Sequence, residues 1–262
     1  MQFKKCADYH AMSVVGAEII CECALPVLRA GKPFNLGLAT GNTMIELYTL
    51  LAERFNREKL DLSRLQTWNL DEYASDEKHA VPSSHPLSYR RYMDEKLFRL
   101  FAPERGFTPA QAHFPDPAAP AAYDRDLGAA GGLDLQLLGI GFNGHIAFNE
   151  PVPASEIPAE DYGELPTRVL PLTPETIAQN TKVTANGDAS LVPRFAATMG
   201  MKPILKAKKT LLLACFAEQE APLTRMLREK RSTPELPASY LLAHPDFTLV
   251  WTADKIDLDG LL

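Results

Sequence analysis

The chain of 262 residues has no Cys-x-x-Cys pair and no long low-complexity tract. Its four cysteines, Cys6, Cys21, Cys23 and Cys215, lack redox or metal-ligand spacing and read as reduced packing residues, Cys215 inside an apolar run expected to be a buried strand. The first residues, MQFKKCADYHAMSV, hold no continuous apolar core and no small-residue cleavage site. No apolar stretch is expected to approach the ~20 residues of a membrane helix. Positive charge is also scarce. The net charge of −6 argues against a nucleic-acid binder, although a small phosphate needs only local dipoles and one or two cations. The expectation is a cytoplasmic protein with no nucleic-acid, membrane or metal partner.

What the chain does have is a sizeable apolar fraction, 46%, enough for one large α/β domain. Val14, Val15, Ala17, Ile19, Ile20 and Leu25 give a helical face between about Asp8 and Leu28. Residues 34–39 read as a strand, 40–43 as a turn, and Met44, Leu47, Tyr48, Leu51 and Phe55 as one face of an amphipathic helix. Further strands are expected at 65–70, 133–140, 210–216 and 247–252. Helices are expected at 87–101, 118–130 (stopped by Gly131-Gly132) and 221–229. Strands alternating with helices predict a mostly parallel sheet covered on both faces, in a single domain. Residues 151–187, with six prolines and little periodicity, read as a lid-like excursion.

Ligands of open α/β sheets bind at the carboxyl ends of the strands, and three strand ends carry informative loops. Thr40-Gly41-Asn42-Thr43 runs from strand into helix and could present backbone N–H groups to a phosphate; taken alone it is an ordinary turn. Asn69-Leu70-Asp71-Glu72-Tyr73 places carboxylates just past a strand, where one can serve as a general base or simply cap a helix. Gly139 to Pro151, reading GIGFNGHIAFNEP, sets His145 and Glu150 five residues apart among apolar groups.

These last two segments resemble the signature segments of the glucosamine-6-phosphate deaminases and the related galactosamine-6-phosphate isomerases. The likeness runs from about Phe34 to Asp254 and includes Pro237-Ala238-Ser239 before His244. It implies a three-layer αβα, Rossmann-like domain, a small sugar phosphate as ligand, no organic cofactor or metal, and allows a homo-oligomer. The implied reaction opens the amino-sugar phosphate ring, moves a proton from C2 toward C1, and releases ammonia to leave a ketose phosphate. Position by position, Asp71 matches the base at C2, His145 the ring-opening group and Glu150 its charge partner, with Asn143 in support. Thr40, Gly41, Asn42, Thr43, Gly144, Arg168 and Lys182 fall on the substrate side.

Several positions depart from the family pattern. Asn42 stands where the turn usually has Gly. Lys182 replaces a lid Arg, keeping charge and losing the bidentate fork. Glu220 falls where a phosphate-binding Lys is expected, and the effector-site pattern of regulated members has no match around Leu170 and Pro171. The alternatives are an isomerase or deaminase of another sugar derivative, a 6-phosphogluconolactonase-like hydrolase, or a non-catalytic sugar-phosphate sensor.

Overall fold

The computed structural model describes residues 1–261. In chain order its principal elements are β1 (Gln2–Cys6), α1 (Tyr9–Arg29), β2 (Phe34–Leu38), α2 (Ile45–Arg57), β3 (Leu65–Asn69), β4 (Asp71–Ala74), α3 (Tyr89–Lys96), β5 (Ala112–His113), α4 (Pro120–Ala129), β6 (Leu135–Gly139), α5 (Ala159–Gly163), β7 (Arg168–Pro171), α6 (Pro174–Val183), β8 (Phe195–Thr198), α7 (Met201–Leu205), β9 (Thr210–Ala214), α8 (Glu220–Glu229) and β10 (Phe247–Thr252). Seven strands form one sheet in the order β1-β10-β9-β6-β2-β3-β5, every pair parallel. From β2 the chain winds outward to β3 and β5, then returns to β6 and winds the other way through β9 and β10. The direction therefore reverses between β2 and β6, and the loops leaving those two strands face each other across a crevice.

Burial explains why these segments are strands. Every residue of β2, β9 and β10 is buried, as a parallel sheet sandwiched between helices requires. Helix α1 is capped by Asp8, whose carboxylate accepts the Ala11 N–H at 2.9 Å. It also corrects one expectation: its 21 residues are long and apolar enough, by length and composition, to cross a membrane. In this fold half of that window is buried, and the helix packs on α2, β9 and β10.

Other boundaries shift for local reasons. Helix α3 stops at Lys96 and gives way to a 3₁₀ turn over Phe98–Leu100, so 87–101 is not one helix. Cys215 is buried one residue beyond the end of β9 rather than within it. After Asn69 the chain leaves the parallel sheet, and Asp71 begins β4 in a separate antiparallel sheet ordered β4-β8-β7. Segment 151–187, expected to be irregular, contains α5, β7 and α6. Strand β7 is short and half-buried, too brief to show alternation in the sequence.

Candidate active site

The turn after β2 is held by three phenols. Tyr48 Oη donates to the Ala39 carbonyl, Tyr92 Oη to Gly41 O at 2.7 Å, and Tyr9 Oη to Asn42 O at 3.0 Å while accepting the Glu46 N–H at 3.1 Å. Gly41 sits at φ 116°, ψ 169°, a region that only glycine occupies without strain. A 3₁₀ turn over Asn42–Met44 then feeds α2. With its carbonyls engaged from behind by tyrosines on α1, α2 and α3, the turn is fixed at the positive end of α2.

Asp71 and Glu72 are neighbours with opposite fates, because successive strand residues face opposite sides. The Glu72 carboxylate is fully buried and accepts the N–H groups of Tyr89 and Arg90, both at 2.9 Å, and the Ser88 hydroxyl at 3.1 Å. It caps α3. Asp71 is 7% exposed, and its Oδ1 has no hydrogen-bond partner. Burial pushes its carboxyl up to about 7, against the opposing pull of the Thr198 hydroxyl, the Phe148 amide and His145. Asp71 pairs with Thr198 across β4 and β8, and Thr198 pairs with Arg168 across β8 and β7. Directly opposed residues share a sheet face, so the acid and Arg168 flank the threonine on one side.

The loop after β6 folds back on itself. Gly141 N–H donates to His145 O at 3.0 Å, and His145 N–H donates to Asn143 Oδ1 at 3.1 Å. The His145 ring lies over Gly141, where a Cβ would stand 2.2 Å from the ring; only glycine allows that placement. Asn143 Nδ2 donates to Glu150 Oε2 at 2.8 Å. His145 Nδ1 lies 3.4 Å from the same oxygen, in ion-pair range but without hydrogen-bond alignment. The other carboxylate oxygen accepts the Thr176 hydroxyl of α6. Burial works against ionisation of Glu150, yet His145, Thr176 and Asn143 together hold its carboxyl below the ordinary value.

The loop after β6 and one strand of the small sheet thus bring Asp71, Asn143, His145 and Glu150 to one end of the molecule. A family model for glucosamine-6-phosphate isomerases/6-phosphogluconolactonase matches residues 7–148. Glucosamine-6-phosphate deaminase 2 of Bacillus subtilis (strain 168) is 36% identical over 248 residues, 92% of this chain and 91% of the relative. The chain belongs to this family. The solved structure of a monomeric glucosamine-6-phosphate deaminase is 31% identical, with a TM-score of 0.81 over 97% of this chain and 98% of that one. A 6-phosphogluconolactonase from Thermotoga maritima superposes at a TM-score of 0.68 with 21% identity, covering 96% and 98%, and shares the fold.

Against that family the remaining positions sort unevenly. Arg168 is half-buried and donates to Asn149 Oδ1 at 2.7 Å, which sets its guanidinium beside the residue preceding Glu150. Lys182 lies exposed in the last turn of α6, at the opposite end of that helix from Thr176. Gly144 adopts φ 89° and packs on Leu236 and Pro222, serving the loop's shape. The Glu220 carboxylate accepts Asp257 N–H at 2.8 Å and so is engaged with the C-terminal segment. Asn149, Thr176, the three phenols and Gln219 were not singled out from sequence. Gln219 bridges two strand ends, accepting the N–H groups of Cys215 (2.7 Å) and Phe216 (2.9 Å) and donating to Ile140 O (2.8 Å). Asn149 stood inside the quoted motif and was findable there; Thr176 and the tyrosines carry no local signal.

Proposed function

We propose that this family member is a glucosamine-6-phosphate deaminase, converting the amino-sugar phosphate to a ketose 6-phosphate and ammonia. The observation that carries the reading is the pairing of a dry aspartate, Asp71, with a separate imidazole–carboxylate unit, His145–Glu150, at the same crevice. Asp71 titrates near neutrality, so it can both take a proton from carbon and return it. His145 exchanges a proton with the ring oxygen or anomeric hydroxyl, and Glu150, ionised, balances the imidazolium. Asp71 then removes the C2 proton of the open-chain aldehyde. Delivery of that proton to C1, with one proton of the C2 ammonium passing to O1, leaves a hydroxymethyl at C1 and an iminium at C2, which water hydrolyses to the ketone and ammonia. The phosphate lies at the Thr40–Thr43 turn, where the N–H groups and the α2 dipole favour an anion. Segment 151–187 acts as a lid, with α6 laid across the site. A phosphorylated substrate supports a cytoplasmic location.

The test offers the purified protein glucosamine 6-phosphate, galactosamine 6-phosphate, the unphosphorylated amines and 6-phosphogluconolactone. Equal release of ammonia and ketose from an amino-sugar phosphate is expected. Lactone hydrolysis without ammonia from any amine overturns the reading.

A further inference from the structure

Helix α6 rests on the site through two polar contacts four residues apart. Thr176 Oγ1 donates to Glu150 Oε1, and Asn180 Nδ2 donates to Tyr73 Oη at 2.8 Å. That spacing puts both side chains on one face of the helix. Ile177, beside them, packs against the cluster containing Tyr73, Phe148 and Leu172. The helix start is fixed by Thr173, whose side chain accepts the Thr176 N–H at 3.2 Å. Thr176 is buried, so its hydroxyl is committed to the carboxylate, which can only accept when ionised.

We propose that Thr176 is a positioning residue for the proton chemistry: its hydroxyl holds Glu150 ionised and oriented toward His145 whenever α6 is docked. This rests on the catalytic reading given above. The two carboxylate oxygens are divided by origin. Oε2 is engaged from its own loop, by Asn143 and His145. Oε1 is held by Thr176, which lies on an element that could lift away. Removing the hydroxyl leaves Glu150 free to turn about its terminal torsion and deprives the charged form of a strong hydrogen bond. Other groups around Glu150 stay in place in that case: His145 on the loop, Asp71 of β4, Tyr162 of α5 (whose Oη donates to Glu150 O at 2.7 Å), Arg168 of β7 bonded to Asn149, and the exposed Glu175 on α6 itself. A change in Glu150 titration on loss of the hydroxyl is therefore assignable to Thr176.

The experiment compares Thr176→Val, Thr176→Ala and Thr176→Ser in the full chain, with glucosamine 6-phosphate as substrate. Loss of the hydroxyl in Val or Ala should move the titration of the Glu150 carboxyl, followed by carbon-13 labelling, up by about one pH unit and lower kcat about tenfold with little change in KM, the size expected for one hydrogen bond to a charged group. Thr176→Ser should restore both. Amide hydrogen exchange over α6 should be unchanged in Thr176→Val, because Asn180 and Ile177 still anchor the helix. A wild-type Glu150 titration with wild-type kcat in Thr176→Val, or equal impairment in Thr176→Ser, overturns the proposal. If the wild-type protein releases no ammonia, the functional reading falls, and carbon-13 titration of the Glu150 carboxyl still decides this one. An upward shift in Val and Ala but not in Ser upholds it; identical titrations overturn it.

Discussion

At the scale of single residues the site depends on how far burial is allowed to go. Asp71 titrates near 7 against an ordinary 3.8, a raised value that has opposite consequences for activity and stability. The folded state binds a proton that the unfolded state has released between about pH 4 and pH 7. Stability therefore falls as pH rises through that window, and the deficit above pH 7 is on the order of 4 kcal/mol. Asp71→Asn should lower turnover by about 10²–10⁴-fold and, in the same protein, raise the melting temperature at pH 8 while leaving it nearly unchanged at pH 4. Wild-type turnover in a folded Asp71→Asn protein would remove Asp71 from the mechanism. His145 and Glu150 make a different statement, because they act as one unit. His145→Gln and Glu150→Gln should each slow a cyclic substrate more than its open-chain fraction, and the double variant should be little worse than either single one. Kinetic losses that simply multiply would show that the two side chains work independently.

At the scale of elements the turn between β2 and α2 shows why its short sequence was an ambiguous sign. Thr-Gly-Asn-Thr is common at helix starts, and its shape here is held by Tyr9, Tyr48 and Tyr92, phenols on three different helices. Gly41→Ala forces a side chain into φ 116°, a cost of about 1–3 kcal/mol. It should raise KM for the 6-phosphate substantially while an unphosphorylated analogue changes little. Equal effects on both forms would place the phosphate elsewhere. The Asp-Glu pair was similarly undecided in sequence: a base and a helix cap were both open, and the strand alternation of β4 turns Glu72 to the start of α3 and Asp71 to the opposite face. Helix α6 was hidden within a proline-rich stretch. Pro174 occupies its first turn, where a missing N–H costs nothing, so one of the six prolines of that stretch starts a helix.

At the scale of the whole molecule the reversal of winding between β2 and β6 puts the Thr40–Thr43 turn and the His145–Glu150 loop at one crevice. Regulation follows from the second sheet. Leu170, where regulated relatives were expected to carry an effector pattern, packs with the Tyr73–Phe148 cluster, and its neighbour Pro171 pairs with Phe195. Saturation by glucosamine 6-phosphate should therefore be hyperbolic and unaffected by N-acetylglucosamine 6-phosphate. A sigmoidal curve made hyperbolic by that compound would refute this. The strand–helix alternation, the parallel core and the His145–Glu150 loop could be read from the chain alone, because side-chain period and contiguous motifs are local properties. The row Asp71–Thr198–Arg168, the contact of Thr176 with Glu150 and the engagement of Glu220 by Asp257 join residues far apart in the chain. Isolated hydroxyls, amides and carboxylates have no periodicity, so only the pairing of β4, β8 and β7 and the docking of α6 decide what each one touches.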